Sequence, residues 1–112
     1  RASGLTAQVL ALLEQRLGQP EASIEAIAAT LNMTPRTLQR HLAAEKVRFV
    51  DLRDQVRHGR ACALLRDDTL SFATIAEQLG FADVANFYHA FRRWEGCAPG
   101  EYRRRPQEKW HS

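Results

Sequence analysis

The chain has 112 residues, 45% of them hydrophobic and 26% charged, a balance that supports a packed core and excludes wholesale disorder. No apolar run approaches the roughly 18 residues needed to cross a bilayer, and no basic-then-apolar leader opens the sequence. The net charge is +3, and the 2 cysteines, Cys62 and Cys97, are too few for a disulfide scaffold and lack C-x-x-C spacing.

Helix signals follow one another with almost no strand signal between them. Leu5, Val9, Leu12, Leu13 and Leu17 recur at helical spacing, and Gly18 with Pro20 closes that segment. Ser23 caps a short second helix with Ile24, Ile27, Ala28 and Leu31 on its apolar face. Asn32-Met33 is a break. Thr34-Pro35 then gives an N-cap followed by proline at the first helical position, and that helix runs to about Glu45 with Leu38 and Leu42 inward.

A longer helix fits Phe49 to about Arg66, with Phe49, Leu52, Val56, Ala63 and Leu64 on one side. Gly59 interrupts it at a cost of about 1 kcal/mol. After the polar break Asp67-Asp68-Thr69, Ser71 caps a helix with Phe72, Ile75, Ala76 and Leu79 inward, ending at Gly80. Asp83 caps the next, which carries Phe87, Phe91 and Trp94 and stops at Gly96. Pro99 opens a last short helix containing Tyr102, and the tail from Pro106 is expected to fray.

The positive charge is concentrated. Residues 1–33 and 67–112 each sum to −1, whereas residues 34–66 carry 8 basic and 3 acidic groups. The basic set is Arg36, Arg40, Lys46, Arg48, Arg53, Arg57, Arg60 and Arg66. Such a stretch points to a polyanionic partner, and a solvated helix face is the alternative.

An internal repeat carries more information than the charge. Ile27-Ala28, Leu31-Asn32-Met33, a cap at Thr34, Leu38 and Leu42 match Ile75-Ala76, Leu79-Gly80-Phe81, a cap at Asp83, Phe87 and Phe91. The offset is 48 before the turn and 49 after it, because the second turn holds one extra residue, Ala82. Each unit describes a helix-turn-helix. Ala28 or Ala76 lets the helices approach, Asn32 or Gly80 accepts a left-handed backbone, and Met33 or Phe81 fills the space between. A joining helix of about 18 residues spans roughly 27 Å, against about 34 Å between major-groove faces on one side of B-DNA. Two recognition helices at its ends can enter successive grooves.

These residues resemble the DNA-binding domain of the AraC/XylS family of transcription regulators. The resemblance rests on Ser71, Ile75-Ala76, Gly80-Phe81, Phe87, Phe91-Arg92-Arg93-Trp94, Gly96, Pro99 and Tyr102-Arg103, with Leu38-Gln39-Arg40, Arg57 and Ala61 in support. It covers about residues 5–105. It implies an all-α, homeodomain-like fold of seven helices. Within 1–112, subdomain 5–47 and subdomain 68–106 would be joined by a linker helix at 48–67, with a tail at 107–112.

Carried over from the family, base contacts fall on Arg36, Gln39 and Arg40 in the first unit. In the second they fall on Val84, Ala85, Asn86 and His89. Arg suits guanine O6/N7 and Gln suits adenine N6/N7, whereas Val84 and Ala85 offer only apolar contact. The first subdomain is therefore expected to carry most base specificity. Phosphate contacts are expected from Thr34, Lys46, Arg48, Tyr88 and Arg92. Ala98 stands where the family usually has Ser or Thr before the proline, a lost cap worth about 1 kcal/mol.

Other readings are narrower. His41, His58, His89 and His111 have no H-E-x-x-H, paired cysteines or nucleophile elbow beside them, so no catalytic residue, metal or cofactor is expected. Phe81, Phe87, Phe91 and Trp94 are read as core. Cys62 is read as a small buried hydrophobe, a redox sensor being the alternative. Arg53, Asp54 and Arg57 are expected to form exposed pairs, and Arg103-Arg104-Arg105 either meet phosphates or end a solvated helix. The chain opens on Arg1 and its one Met is Met33, so a processed chain or a segment of a longer regulator is expected, with an effector domain elsewhere. The expected partner is double-stranded promoter DNA in the cytoplasm, with no membrane. The competing function is a helical protein-interaction module whose apolar Val84 and Ala85 dock a partner such as RNA polymerase.

Overall fold

Four side-chain caps, at the same places in both repeats, begin the helices of the computed structural model, which describes residues 4–105. Ser23 accepts from the Ala26 N–H and Thr34 from Thr37; Ser71 accepts from Thr74 and Asp83 from Asn86. A side-chain oxygen here satisfies one of the orphan N–H groups of a first helical turn. The helices are α1 (Gly4–Arg16), α2 (Ile24–Thr30), α3 (Pro35–Ala44) and α4 (Phe49–Leu65), then α5 (Phe72–Leu79), α6 (Val84–Glu95) and α7 (Pro99–Arg104). A single 3-10 turn, Pro20–Ala22, lies between α1 and α2, and the described residues contain no strand. The expected tail from Pro106, and His111 with it, lies outside the described residues.

The repeat extends to individual backbone bonds. The Met33 N–H donates to the Ala28 carbonyl at 2.9 Å, and the Phe81 N–H donates to the Ala76 carbonyl at 3.0 Å. Asn32 and Gly80 hold the left-handed turn position, at φ 60° and 86°. Ala98 begins α7 with no side-chain cap bond, as the missing hydroxyl implies.

Two apolar clusters form. The first gathers Val9, Leu13, Ile27, Ala28, Leu38, Leu42, Leu52 and Val56; the second gathers Ala61, Leu65, Ile75, Ala76, Leu79, Phe87 and Phe91. Leu17 packs against both. The radius of gyration is 15.3 Å, above the about 13 Å of a single-core domain of 100 residues. The elongation follows from having two lobes.

The linker helix differs from the sequence expectation. Ala63 is exposed and Leu64 only half-buried, while Ala61 and Leu65 are the buried pair. At about 100° per residue, Leu52 and Ala61 lie about half a turn apart. Helix α4 therefore buries opposite faces in the two lobes, and one continuous stripe cannot describe it. Gly59 is exposed on the Leu52 side, where that face has finished its work.

The lobes meet through backbone. A Cβ at Gly18, which sits at φ 82°, would lie 2.3 Å from the Gln78 carbonyl oxygen, and one at Gly80 would lie 3.3 Å from the Gly18 Cα. Arg57 completes this junction and is not the exposed pair expected. Its guanidinium donates to the carbonyls of Leu79 and Gly80, each at 3.0 Å, and stacks 4.3 Å from the Phe81 ring centre. Arg103 is likewise neither solvated nor free for phosphate. It donates to the carbonyls of Leu65 and Asp67 at 3.0 and 3.1 Å and lies over Phe72. Both arginines hold carbonyl groups that helix ends leave unpaired, and Arg103 also shares the Asp67 carbonyl with the Leu70 N–H.

Candidate nucleic-acid interface

Burial of Leu38 and Leu42 in the first cluster fixes which way α3 faces. Arg36, Gln39 and Arg40, spaced i, i+3 and i+4, then emerge together and are all exposed. Burial of Phe87, Ala90 and Phe91 does the same for α6. Val84, Ala85, Asn86 and His89 are exposed, and Val84 is the exposed large hydrophobic residue among those described, at 37%.

Gln39 of the first set and Asn86 and His89 of the second line neighbouring depressions. One, of about 920 Å³, runs from Gln39 and Ala43 past Arg48 to Arg53 and Arg57. The other, of about 320 Å³, runs from Asn86 and His89 past Arg93 to the same Arg53 and Arg57. Gly80 lines both. Both exposed helix faces thus border a single saddle across α4, floored by arginines. Arg53 is expected from the sequence in the basic stretch and in an exposed pair with Asp54. Its NH2 does lie 3.7 Å from Asp54, but its Nε is buried in this saddle without a partner.

The expected phosphate contacts divide by what they already hold. Among the described residues, Arg36, Arg40, Lys46, His89 and Arg92 make no side-chain hydrogen bond or ion pair. Lys46 sits at φ 66° on an exposed turn. Arg48 is held by both oxygens of Asp51, at 3.0 and 3.1 Å. That hydrogen bond pushes the Asp51 carboxyl below its ordinary value and the Arg48 guanidinium above its own. The pair is fully exposed, so a phosphate can displace Asp51 cheaply. The Thr34 hydroxyl accepts from the Thr37 N–H and donates to its hydroxyl. Tyr88 is half-buried, its ring edge-on to Phe72 and Phe87. Burial, then the Arg53 charge, lower Arg57 to about 10, which leaves it cationic at neutral pH.

A second constellation lies away from these faces. His58 Nε2 is 2.5 Å from Glu95 Oε2, and the Cys62 thiol donates to that oxygen at 3.6 Å. Burial pushes the Cys62 thiol above its ordinary value, and its hydrogen bond with Tyr102 pushes that phenol up to about 12. A thiol kept protonated does not suit a redox sensor. The i, i+4 spacing of His58 and Cys62 was a usable signal; Glu95, 33 residues beyond Cys62, gave none.

A family model described as a helix-turn-helix domain matches residues 27–105. The chain is 39% identical over 99 residues to the transcriptional regulator VirS of Mycobacterium tuberculosis, covering 88% of this chain and 29% of VirS. It is 38% identical over 104 residues to the ornithine utilization regulator of Pseudomonas aeruginosa, covering 92% of this chain and 30% of that protein. It spans under a third of the length of these curated relatives. Among solved structures, the regulator CdpR from Pseudomonas aeruginosa superposes with a TM-score of 0.84 at 43% identity, over 92% of this chain and 32% of that one. The DNA-binding domain of AdpA, described as a global transcriptional factor in complex with a target DNA, gives 0.76 at 26% identity, over 90% and 91%. No described helix is long and apolar enough to cross a membrane.

Proposed function

We propose, since this chain belongs to the AraC/XylS family of helix-turn-helix DNA-binding domains, that it binds double-stranded promoter DNA sequence-specifically as the output part of a cytoplasmic transcription regulator. The observation that carries this reading is the shared saddle: the exposed faces of α3 and α6 border the same arginine-floored surface. Subdomain 5–47 presents α3 to one major groove, subdomain 68–106 presents α6 to the next, and the linker at 48–67 spaces them. The 17 residues of α4 give about 25 Å of rod, and the helices at its ends extend the reach.

Arg36, Gln39 and Arg40 read base edges by hydrogen bonds. Val84 and Ala85 meet thymine methyls, while Asn86 and His89 supply the polar contacts of the second half-site. Thr34, Lys46, Arg48, Tyr88 and Arg92 hold the phosphate backbone and set register rather than sequence. The relatives' greater length supports an effector-responsive portion outside these residues. Regulators, and no enzymes, appear among the relatives named above, and the protein-interaction module is not favoured.

The test is selection of bound sites from a random duplex library, followed by anisotropy titrations with Arg40→Ala. We expect two half-sites about one helical turn apart. Arg40→Ala should cost about 1–3 kcal/mol and relax discrimination at one base pair. Equal weakening on every sequence would overturn the base-reading role.

A further inference from the structure

We propose that His58, Cys62 and Glu95 form a site for a borderline-soft divalent cation, Zn²⁺ or Co²⁺, that ties the linker helix to the end of the second recognition helix. His58 and Cys62 stand one turn apart on α4, and Glu95 closes α6. Their nitrogen, sulfur and oxygen atoms all lie within 4.8 Å of one another. Mixed N, S and O donors select zinc-like ions over magnesium or calcium.

The geometry needs little change. Bonds of about 2.0–2.3 Å in a tetrahedron put donor atoms roughly 3.3–3.7 Å apart. The thiol and the carboxylate already stand at 3.6 Å. The imidazole and the carboxylate, at 2.5 Å, need to separate by about 1 Å to reach that spacing. His58 cannot swing far, because its ring stacks on Trp94 at 5.3 Å and meets the Phe91 edge at 6.3 Å. Fixing an imidazole in this way pre-organises a ligand. The His58 and Glu95 side chains keep 34% and 24% of their surface, so an ion can enter and a water can complete the fourth position. On binding, the Cys62 thiol releases its proton to solvent, the proton between His58 Nε2 and Glu95 Oε2 moves to Nδ1 or to solvent, and thiolate, imidazole nitrogen and carboxylate take their places on the metal.

The site is tested with the whole chain and Co²⁺ under a non-chelating reductant. One equivalent of Co²⁺ should give a thiolate charge-transfer band and raise Tm, and one equivalent of Zn²⁺ should bleach the band. Cys62→Ser should abolish the band, and Glu95→Gln and His58→Ala should each weaken binding at least about tenfold. Cys97→Ser and His41→Ala, which lie outside the site, should leave the cobalt band unchanged. Absence of the band in the unaltered protein overturns the site, and that result needs no variant to fold. A band that survives Cys62→Ser overturns it equally.

Discussion

Replacing Gly18 with alanine should pull the two lobes apart. A left-handed backbone costs a non-glycine residue about 1–2 kcal/mol. Loss of glycine's freedom in the unfolded chain returns about 0.4–1 kcal/mol of that. At Gly96, φ 81°, a methyl meets nothing within 4 Å, so only this balance applies. At Gly18 the methyl would lie 2.3 Å from the Gln78 carbonyl oxygen, a backbone atom that cannot rotate aside. The contact must open, at the about 1–3 kcal/mol typical of overpacking. Gly18→Ala should therefore lose about 2–4 kcal/mol in thermal or urea unfolding. Gly96→Ala should lose about 1 kcal/mol or less, which separates the two by roughly 10 °C in Tm. On DNA, Gly18→Ala should weaken a two-half-site duplex more than an isolated first half-site, because the spacing between α3 and α6 is what has changed. Equal melting of the two variants would refute the backbone apposition, and equal losses on the two duplexes would refute its part in spacing.

Lys46→Gly should raise Tm while weakening DNA binding, since it relieves the left-handed φ of 66° and removes a cation; the slope of log affinity against log salt should flatten by about 1. Arg57→Lys keeps the charge but loses the planar fork and the stacking on Phe81. It should cost about 1–3 kcal/mol in a melt, whereas a change of a few tenths would mean the guanidinium only rests there. The Asp67 carboxyl is held below its ordinary 3.8, first by the Thr69 hydroxyl. Its contribution is present in full above that value and is lost as pH falls through the lower folded one. Tm measured against pH should therefore fall less steeply below about pH 4 in Asp67→Asn than in the parent.

What the sequence made legible is local in chain distance. Ser23, Thr34, Ser71 and Asp83 each bond an N–H three residues on, so caps and helix starts could be read from residue type. Exposure of Arg36, Gln39 and Arg40 followed once Leu38 and Leu42 were read as inward. Periodicity names a buried face but not the body that covers it. That is why α4, which serves two cores on opposite faces, was misread at Ala63. Contacts between distant segments left no trace in spacing: Arg57 reaches carbonyls 22 and 23 residues ahead, and Arg103 reaches back 38 and 36.

The arginines that do not read DNA explain why those that do are available. A count of 8 basic groups in residues 34–66 suggests a uniform cationic band. In the fold, the guanidinium of Arg57 is bound to backbone carbonyls, Arg60 donates to the Glu14 carbonyl at 3.2 Å, and Arg48 is paired with Asp51. Their charges persist and still attract a polyanion over a Debye length, about 10 Å at 0.1 M salt. Part of the donor set of Arg57 and of Arg60 is taken by backbone carbonyls, and that of Arg48 by Asp51. Arg36, Arg40 and Lys46 make no such bonds among the described residues and give up only water to meet a phosphate or a base edge. Salt should therefore weaken the Lys46 contact to phosphate far more than the base-edge hydrogen bonds of Arg36 and Arg40.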